Sequence, residues 1–199
     1  MDRDPFGAKP AVLRCSRCGK FVDWEDAQVQ IVCTCRPRLE LPPVMVREAT
    51  DADRRAAREL FDRDFGRTQI VAYGEVMDLD QIPALVAVMQ EGCSGALAYR
   101  LLGDRLHIVA LATDPMWQRS GVGGHLVAEA ELLARRLNLT RLVVSTTNDN
   151  LPALYFYQRR GYRLTDLVPN SVSEHTHREQ PGFAGIPVRD EIRLEKQIA

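Results

Sequence analysis

The sequence predicts an α/β (α+β) fold: a mixed central sheet flanked by helices, with a small cysteine-rich segment at its N-terminus. Three observations carry this. Residues 84–113 hold three apolar runs of strand length, with a tight turn between the last two. The last run feeds a glycine loop, an amphipathic helix and another apolar strand. Such a strand–helix–strand unit sets its strands parallel through a right-handed crossover. Four of the five cysteines fall between Cys15 and Cys35.

Composition bounds the rest. The chain has 199 residues, enough for one ordinary domain and a small appendage. Hydrophobic residues make up 45% and charged residues 27%, as in an ordinary globular chain. A formal net charge of −1 argues against nucleic-acid or membrane binding driven by overall charge. No apolar run approaches the roughly 18 residues needed to span a bilayer. The opening MDRDPFGAKP lacks the apolar core of a secretory signal, so a cytoplasmic location is expected. In that compartment cysteines serve as thiols or metal ligands more often than as disulfides.

Residues 1–35 are expected to form a zinc-ribbon-like unit. Cys15, Cys18, Cys33 and Cys35 follow the spacing C-x2-C-x14-C-x-C. A C-x2-C turn aims two thiolates at one point, and Cys18-Gly19-Lys20 resembles a zinc knuckle. A second pair carried on the strand at Val29–Val32 completes a tetrahedral set of four thiolates. With no open position, such a Zn2+ is structural. A redox C-x2-C needs a βαβ context, which is absent here. Residues 36–43 (RPRLELPP) hold three prolines and read as a linker.

The main domain is expected over residues 44–199. Val44–Ala49 reads as its first strand. Thr50 or Asp51 can cap the helix that follows, with Asp53 in its first turn and Ala57, Leu60, Phe61 and Phe65 on one face. Residues 67–82 give no clear element. Strands follow at Ala84–Met89, Gly95–Leu102 and Arg105–Thr113, with Gly103-Asp104 as a hairpin turn. Cys93 stands alone and reads as a small buried hydrophobe. After the glycine loop, His125–Asn138 is amphipathic, with Leu126, Val127, Ala130, Leu133, Ala134 and Leu137 on one face. Arg141–Ser145 is apolar on both faces, as a central parallel strand is. Asn150 caps a helix running to Arg160, Gly161 stops it, and a strand spans Tyr162–Leu167. A long loop, 168–186, carries His175 and His177 and reads as solvated rather than as half of a metal site. The C-terminal residues from Ile186 alternate as a last strand.

The glycine loop itself is Gln118-Arg119-Ser120-Gly121-Val122-Gly123-Gly124. A strand, a glycine loop and a helix start point backbone N–H groups and a positive dipole end at one spot, which suits an anion. The alternative is an ordinary strand-to-helix turn. The stretch is neither the G-x-G-x-x-G of dinucleotide folds nor a P-loop ending in G-K-[ST]. With Asp114-Pro115 upstream, it resembles the Q/R-x-x-G-x-G/A pyrophosphate loop of the GNAT superfamily of N-acetyltransferases. A second match lies downstream. The GNAT pattern N-x-x-A-x-x-x-Y-x-K/R-x-G-F/Y is filled in order by Asn150, Ala153, Tyr157, Arg159, Gly161 and Tyr162. An ordinary capped helix explains Asn150 and Gly161 but not all six.

The resemblance spans about residues 44–197 and implies a seven-stranded GNAT-like sheet, splayed in the middle. Acetyl-CoA would lie in the cleft as co-substrate. Its pyrophosphate would sit on Gln118, Arg119, Ser120, Gly121, Val122, Gly123 and Gly124. Its pantetheine arm would meet backbone groups of Leu111, Ala112 and Thr113 and the side chain of Asn150. The implied reaction is direct attack of an amine on the thioester. An amine with a pKa near ~10 must lose a proton, and the leaving thiolate must gain one. By position, Tyr157 is the general acid, against packing as its other role. Glu91 is the first choice of base, with His107, Glu75, Asp114 and a water chain as rivals. The acceptor is a small-molecule or protein amine, shaped by the variable stretches 67–82 and 168–186. A homodimer is a family expectation only. The other reading is a non-catalytic acyl-CoA-binding module that uses the zinc ribbon to hold a protein partner.

Overall fold

The computed structural model describes Leu13–Arg14, Phe21–Val22 and residues 43–198 other than 67, 91 and 173–179. The chain divides into two units, Met1–Leu41 and Pro42–Ala199. In the first, β1 (Leu13–Arg14) pairs antiparallel with β2 (Phe21–Val22), Arg14 opposite Phe21. The expected zinc ligands Cys15, Cys18, Cys33 and Cys35 lie outside the described residues, as do Glu91, His175 and His177.

The second unit is built on one seven-stranded sheet. Its strands are β3 (Met45–Glu48), β6 (Ala84–Met89), β7 (Gly92–Leu102), β8 (Arg105–Thr113), β9 (Arg141–Thr147), β10 (Arg163–Val168) and β13 (Glu191–Gln197). Across the sheet they run β10-β13-β9-β8-β7-β6-β3. Every neighbouring pair is antiparallel except β8 and β9, which are parallel. That single parallel junction follows from the helix between them, α2 (Val122–Arg136), which carries the chain back across the sheet.

Helices cover both faces. The first, α1 (Asp51–Phe65), starts where the Asp53 carboxylate accepts the Thr50 N–H at 2.8 Å and pairs with Arg47 of β3. It ends at Gly66 in the left-handed region. Its Ala57, Leu60 and Phe61 pack against Val86, Ala96, Ala98, Ala110 and Ala112, a floor of mostly small side chains. The other face holds Leu126, Val127, Ala130 and Ala134 of α2, with Tyr157 of α3 (Leu151–Gln158), against Leu85, Leu97, Leu106, Leu142, Val144 and Leu194.

Residues 67–82, which gave no element from sequence, contain the hairpin β4 (Gln69–Ala72) and β5 (Glu75–Asp78). Tyr73 and Gly74 form its tip, both with positive φ (55° and 74°), the twist that a two-residue turn needs. Ala72, Met77 and Leu79 join the α1-side core. The C-terminal run is interrupted: β11 (Gln180–Pro181) pairs with β12 (Pro187–Val188), and β13 follows separately.

One irregularity organises the middle of the sheet. Ala98 pairs with Ala110, but Tyr99 pairs with Ile108, so Val109 is left over as a bulge in β8. Val109 and Ala110, adjacent in sequence, therefore both face the α1 side, against strict alternation. The parallel pairing of β8 with β9 runs from Arg105↔Arg141 to Ile108↔Val144 and stops there. Beyond it the two strands diverge, and the edge of β8 from Val109 to Thr113 has no partner on the β9 side.

Candidate active site

The glycine loop closes the divergent end. After β8, Asp114 caps a single 3-10 turn, Pro115–Trp117, its Oδ1 accepting the Met116 N–H at 2.8 Å. Ser120 folds back on that turn, donating its N–H to the Trp117 carbonyl at 3.2 Å and its hydroxyl to the same oxygen. Arg119 (φ 64°) and Gly121 (φ 103°) take left-handed conformations. A side chain is rarely tolerated at φ 103°, which explains glycine at 121. The first intrahelical bond into the loop runs from His125 N–H to the Gly121 carbonyl at 3.1 Å. The N–H groups of Val122, Gly123 and Gly124 stand ahead of it without an i−4 acceptor. They carry the positive end of α2.

Gly124 has a second role that the sequence did not show. A Cβ on Gly123 would lie 3.5 Å from the Phe156 ring and 3.7 Å from Leu111. One on Gly124 would lie 2.6 Å from Nη2 of Arg160. The Gly123 contacts are of ordinary van der Waals length, so it is at Gly124 that the absence of a side chain leaves room for the end of Arg160. Gln118 turns back toward the strand, its Nε2 3.5 Å from the Thr113 carbonyl. That carbonyl also accepts from Arg63 of α1 at 3.0 Å.

On the β9 side, three consecutive polar residues divide their work. Asn148 Nδ2 donates to the Pro187 carbonyl, and its Oδ1 accepts the N–H groups of Arg189 and Asp190, all at 2.9–3.0 Å. Asp149 is buried and accepts the Phe183 N–H at 3.0 Å; a side chain on Gly182 would collide with it. Together they moor the 180–190 segment to the end of β9. Asn150 caps α3, its Oδ1 accepting the Ala153 N–H at 3.1 Å. The cap leaves its amide NH2 as the group available to a ligand.

Tyr157 faces inward from α3 at 5% exposure, within an aromatic row: its ring centroid is 5.1 Å from Phe156 and 5.3 Å from Tyr162. Burial raises its pKa above that of a free tyrosine, and the neighbouring Tyr162 hydroxyl is buried with no hydrogen-bond partner among the described residues. Tyr157 is therefore protonated at neutral pH and able to donate.

The rivals considered for the base are committed elsewhere. Asp114 is the cap just described and lies 3.7 Å from Arg63. Glu75 is ion-paired with Arg100. His107 is fully buried, with its ring edge-on to Tyr73 at 4.5 Å and no partner for either nitrogen among the described residues. Burial, with Arg100 and Arg193 nearby, lowers its pKa to about 4, while Glu191 and Glu75 oppose the shift. Glu91 lies outside the described residues. Its neighbours Gln90 and Gly92 line an open concavity with Met89, Met116 and Trp117. Cys93 is half-buried, its Sγ 3.5 Å from the Gly95 carbonyl, and burial raises its pKa.

Sequence reasoning missed two features here. Glu191 at the start of β13 accepts the Tyr73 N–H at 2.8 Å, while Arg193 stacks over the Tyr73 ring at 4.5 Å. The hairpin tip is thereby pinned across the sheet face. Arg160, outside the fixed places of the downstream motif, lies beside Gly124. Only its spacing, three residues after Tyr157 and just past the end of α3, hinted at it.

Comparison with known proteins agrees with this geometry. Residues 54–162 match the family model described as Acetyltransferase (GNAT) family. The chain is 31% identical over 146 residues to the uncharacterized protein YdhI of Bacillus subtilis strain 168, covering 70% of this chain and 89% of that one. Among solved structures, an IAA acetyltransferase from Bacillus cereus ATCC 14579 superposes with a TM-score of 0.62 at 21% identity, covering 78% of this chain and 99% of that one. A GNAT family acetyltransferase from Elizabethkingia anophelis with acetyl-CoA bound gives a TM-score of 0.59 at 21% identity, covering 77% and 97%. At these identities the structural likeness is one of fold.

Proposed function

The chain belongs to the GNAT acetyltransferase family, and from that premise we propose that it transfers the acetyl group of acetyl-CoA directly to an amine nitrogen. The observation that carries this is the end of β8–β9 pairing at Ile108 and Val144, beside a helix start with free N–H groups. The residues present fit the co-substrate. Gln118 to Gly124 would hold the pyrophosphate, with the N–H groups of Val122, Gly123 and Gly124 as donors. The unpaired edge of β8 at Leu111, Ala112 and Thr113 would take the pantetheine arm as an added strand. The Asn150 amide would reach the same arm.

Tyr157 is the proposed acid. Burial raises its pKa, so it stays protonated through the working pH range. It would protonate the thiolate as the tetrahedral intermediate collapses, so that the amine nitrogen keeps the acetyl group and CoA leaves as a thiol. Glu91 is the proposed base; the engagement of Glu75 and Asp114 in ion pairs and of His107 in the core favours it over them. The hairpin tip at Tyr73 and the moored 180–190 segment would bound the acceptor, whose identity stays open as a small-molecule or protein amine.

The test is release of free thiol from acetyl-CoA against a panel of primary amines, amino acids and peptides. Amine-dependent release supports the reading. Acetyl-CoA binding with no release from any acceptor would favour a non-catalytic acyl-CoA module. For the N-terminal unit, the proposal is one structural Zn2+ on Cys15, Cys18, Cys33 and Cys35. Its support is the spacing, together with the β1–β2 pair that brackets the first two cysteines in sequence. Elemental analysis should give one zinc per chain, and Cys15→Ser should lower that ratio.

A further inference from the structure

Arg159 and Arg160 are adjacent in sequence but serve different sides of α3. Arg159 turns outward, its Nη1 donating to the Tyr155 hydroxyl at 2.9 Å. Arg160 turns toward α2. Its guanidinium carbon stands 3.6 Å from the centroid of the Phe156 ring, and its Nη1 donates to the Phe156 carbonyl at 3.0 Å. These contacts fix the fork so that Nη2 lies against the first turn of α2, 2.6 Å from the place of a Gly124 Cβ. No carboxylate stands within ion-pair distance of it among the described residues. Glu131 of α2, the acid whose field reaches it, is taken by Lys196 at 2.7 Å.

This arrangement is electrostatically one-sided. The first turn of a helix carries partial positive charge and favours anions, not cations. A half-buried guanidinium also loses part of its hydration without gaining a counter-ion. Arg160 nevertheless lies beside Gly124 in that first turn, held there by the Phe156 ring and carbonyl. A phosphate placed between them satisfies both, with charge-assisted bonds from the fork on one side and backbone donors on the other.

We infer that Arg160 grips the pyrophosphate of CoA from the α3 side, opposite the glycine loop. This rests on the acetyl-CoA reading above and names a side chain for it outside the loop. It also gives the grip a consequence. Arg160 follows Tyr157 by three residues, just past the end of α3 at Gln158, so holding the phosphates would anchor the end of the helix that carries the acid. Arg160 is thus a binding residue for the nucleotide end and a positioning residue for Tyr157.

The experiment is calorimetric titration of the full chain with CoA and with dephospho-CoA, and displacement of CoA by pantetheine, which has no phosphate. In Arg160→Gln, affinity for CoA and for dephospho-CoA should each fall about tenfold, with pantetheine affinity unchanged, and Arg160→Lys should recover part of the loss. Equal weakening toward pantetheine would assign Arg160 a packing role and overturn the inference. So would unchanged affinities, or a loss confined to CoA, which would move the contact to the 3′-phosphate. Failure of the unaltered protein to bind CoA would instead remove the acetyl-CoA reading.

Discussion

Ile108 and Val144 are the last partners of the one parallel strand pair in the sheet, and the bulge at Val109 follows directly after Ile108. The bulge turns the rest of β8 out of phase with β9, so that no ladder forms between residues 109–113 and the end of β9. The cleft is therefore a consequence of strand register.

Tyr157→Phe removes one hydroxyl and leaves the aromatic row of Phe156, Tyr157 and Tyr162 in place. Turnover should fall by about 100-fold or more, toward the usual 10²–10⁴-fold span for a general acid, with acetyl-CoA affinity changed less than about twofold. Measurement of kcat and of the acetyl-CoA dissociation constant separates the two. Equal turnover would leave Tyr157 with packing alone.

At Gly123 a methyl group meets only ordinary contacts, at 3.5 Å from Phe156 and 3.7 Å from Leu111. Gly123→Ala should therefore fold and bind acetyl-CoA within about threefold of the parent. Gly123→Glu brings a carboxylate to the helix start proposed to receive the phosphates, and should weaken binding by more than about 100-fold. Thermal unfolding of both variants should stay close to the parent's. Unchanged affinity in the Glu variant would refute the anion site.

Gly95 of β7 lies under α2. A Cβ there would stand 2.8 Å from Val122, 3.1 Å from Leu126 and 3.1 Å from the Ala112 carbonyl. The carbonyl cannot yield without moving β8, and Val122 begins the helix. Gly95→Ala should lower stability by about 1–3 kcal/mol, roughly 2–10 °C in Tm. It should also weaken acetyl-CoA binding by displacing the start of α2. A Tm equal to the parent's would show that α2 shifts without cost.

His107 is buried neutral, with its pKa lowered to about 4 from the ordinary 6.5. Between those values the unfolded chain binds a proton that the folded chain does not. Its contribution to stability is therefore full above about pH 6.5 and is lost as pH falls toward 4, by about 3 kcal/mol. His107→Leu, which removes the titrating group, should flatten the stability difference between pH 4.5 and pH 7 in urea unfolding. An unchanged slope would mean that other groups set the acid limit.

Much of the fold could be read because its signals are local. The glycine at 121 is dictated by one φ angle, and Asn150 and Gly161 by the two ends of one helix. The apolar stripe of α2 is a periodicity within a few turns. The β4–β5 hairpin escaped the sequence reading because Gln69–Asp78 is short and its tip, Tyr73-Gly74, is a less usual turn pair than Asn-Gly. The committed state of Asp114 and Glu75, and the burial of His107, depend on partners 25 to 51 residues away in sequence, such as Arg63, Arg100 and Tyr73. No spacing rule announces them.

By itself, the sequence determined the strand–loop–helix turn, the capped helix carrying Tyr157 and the mixed sheet, because each rests on residue type at short spacing. Only the tertiary structure decided where β8 leaves β9, that Gly124 leaves room for Arg160, and that Arg160 rather than Arg159 stands beside the start of α2. Those outcomes depend on register and on the approach of elements distant in sequence. Burial and charge compensation fix them only once the chain is folded.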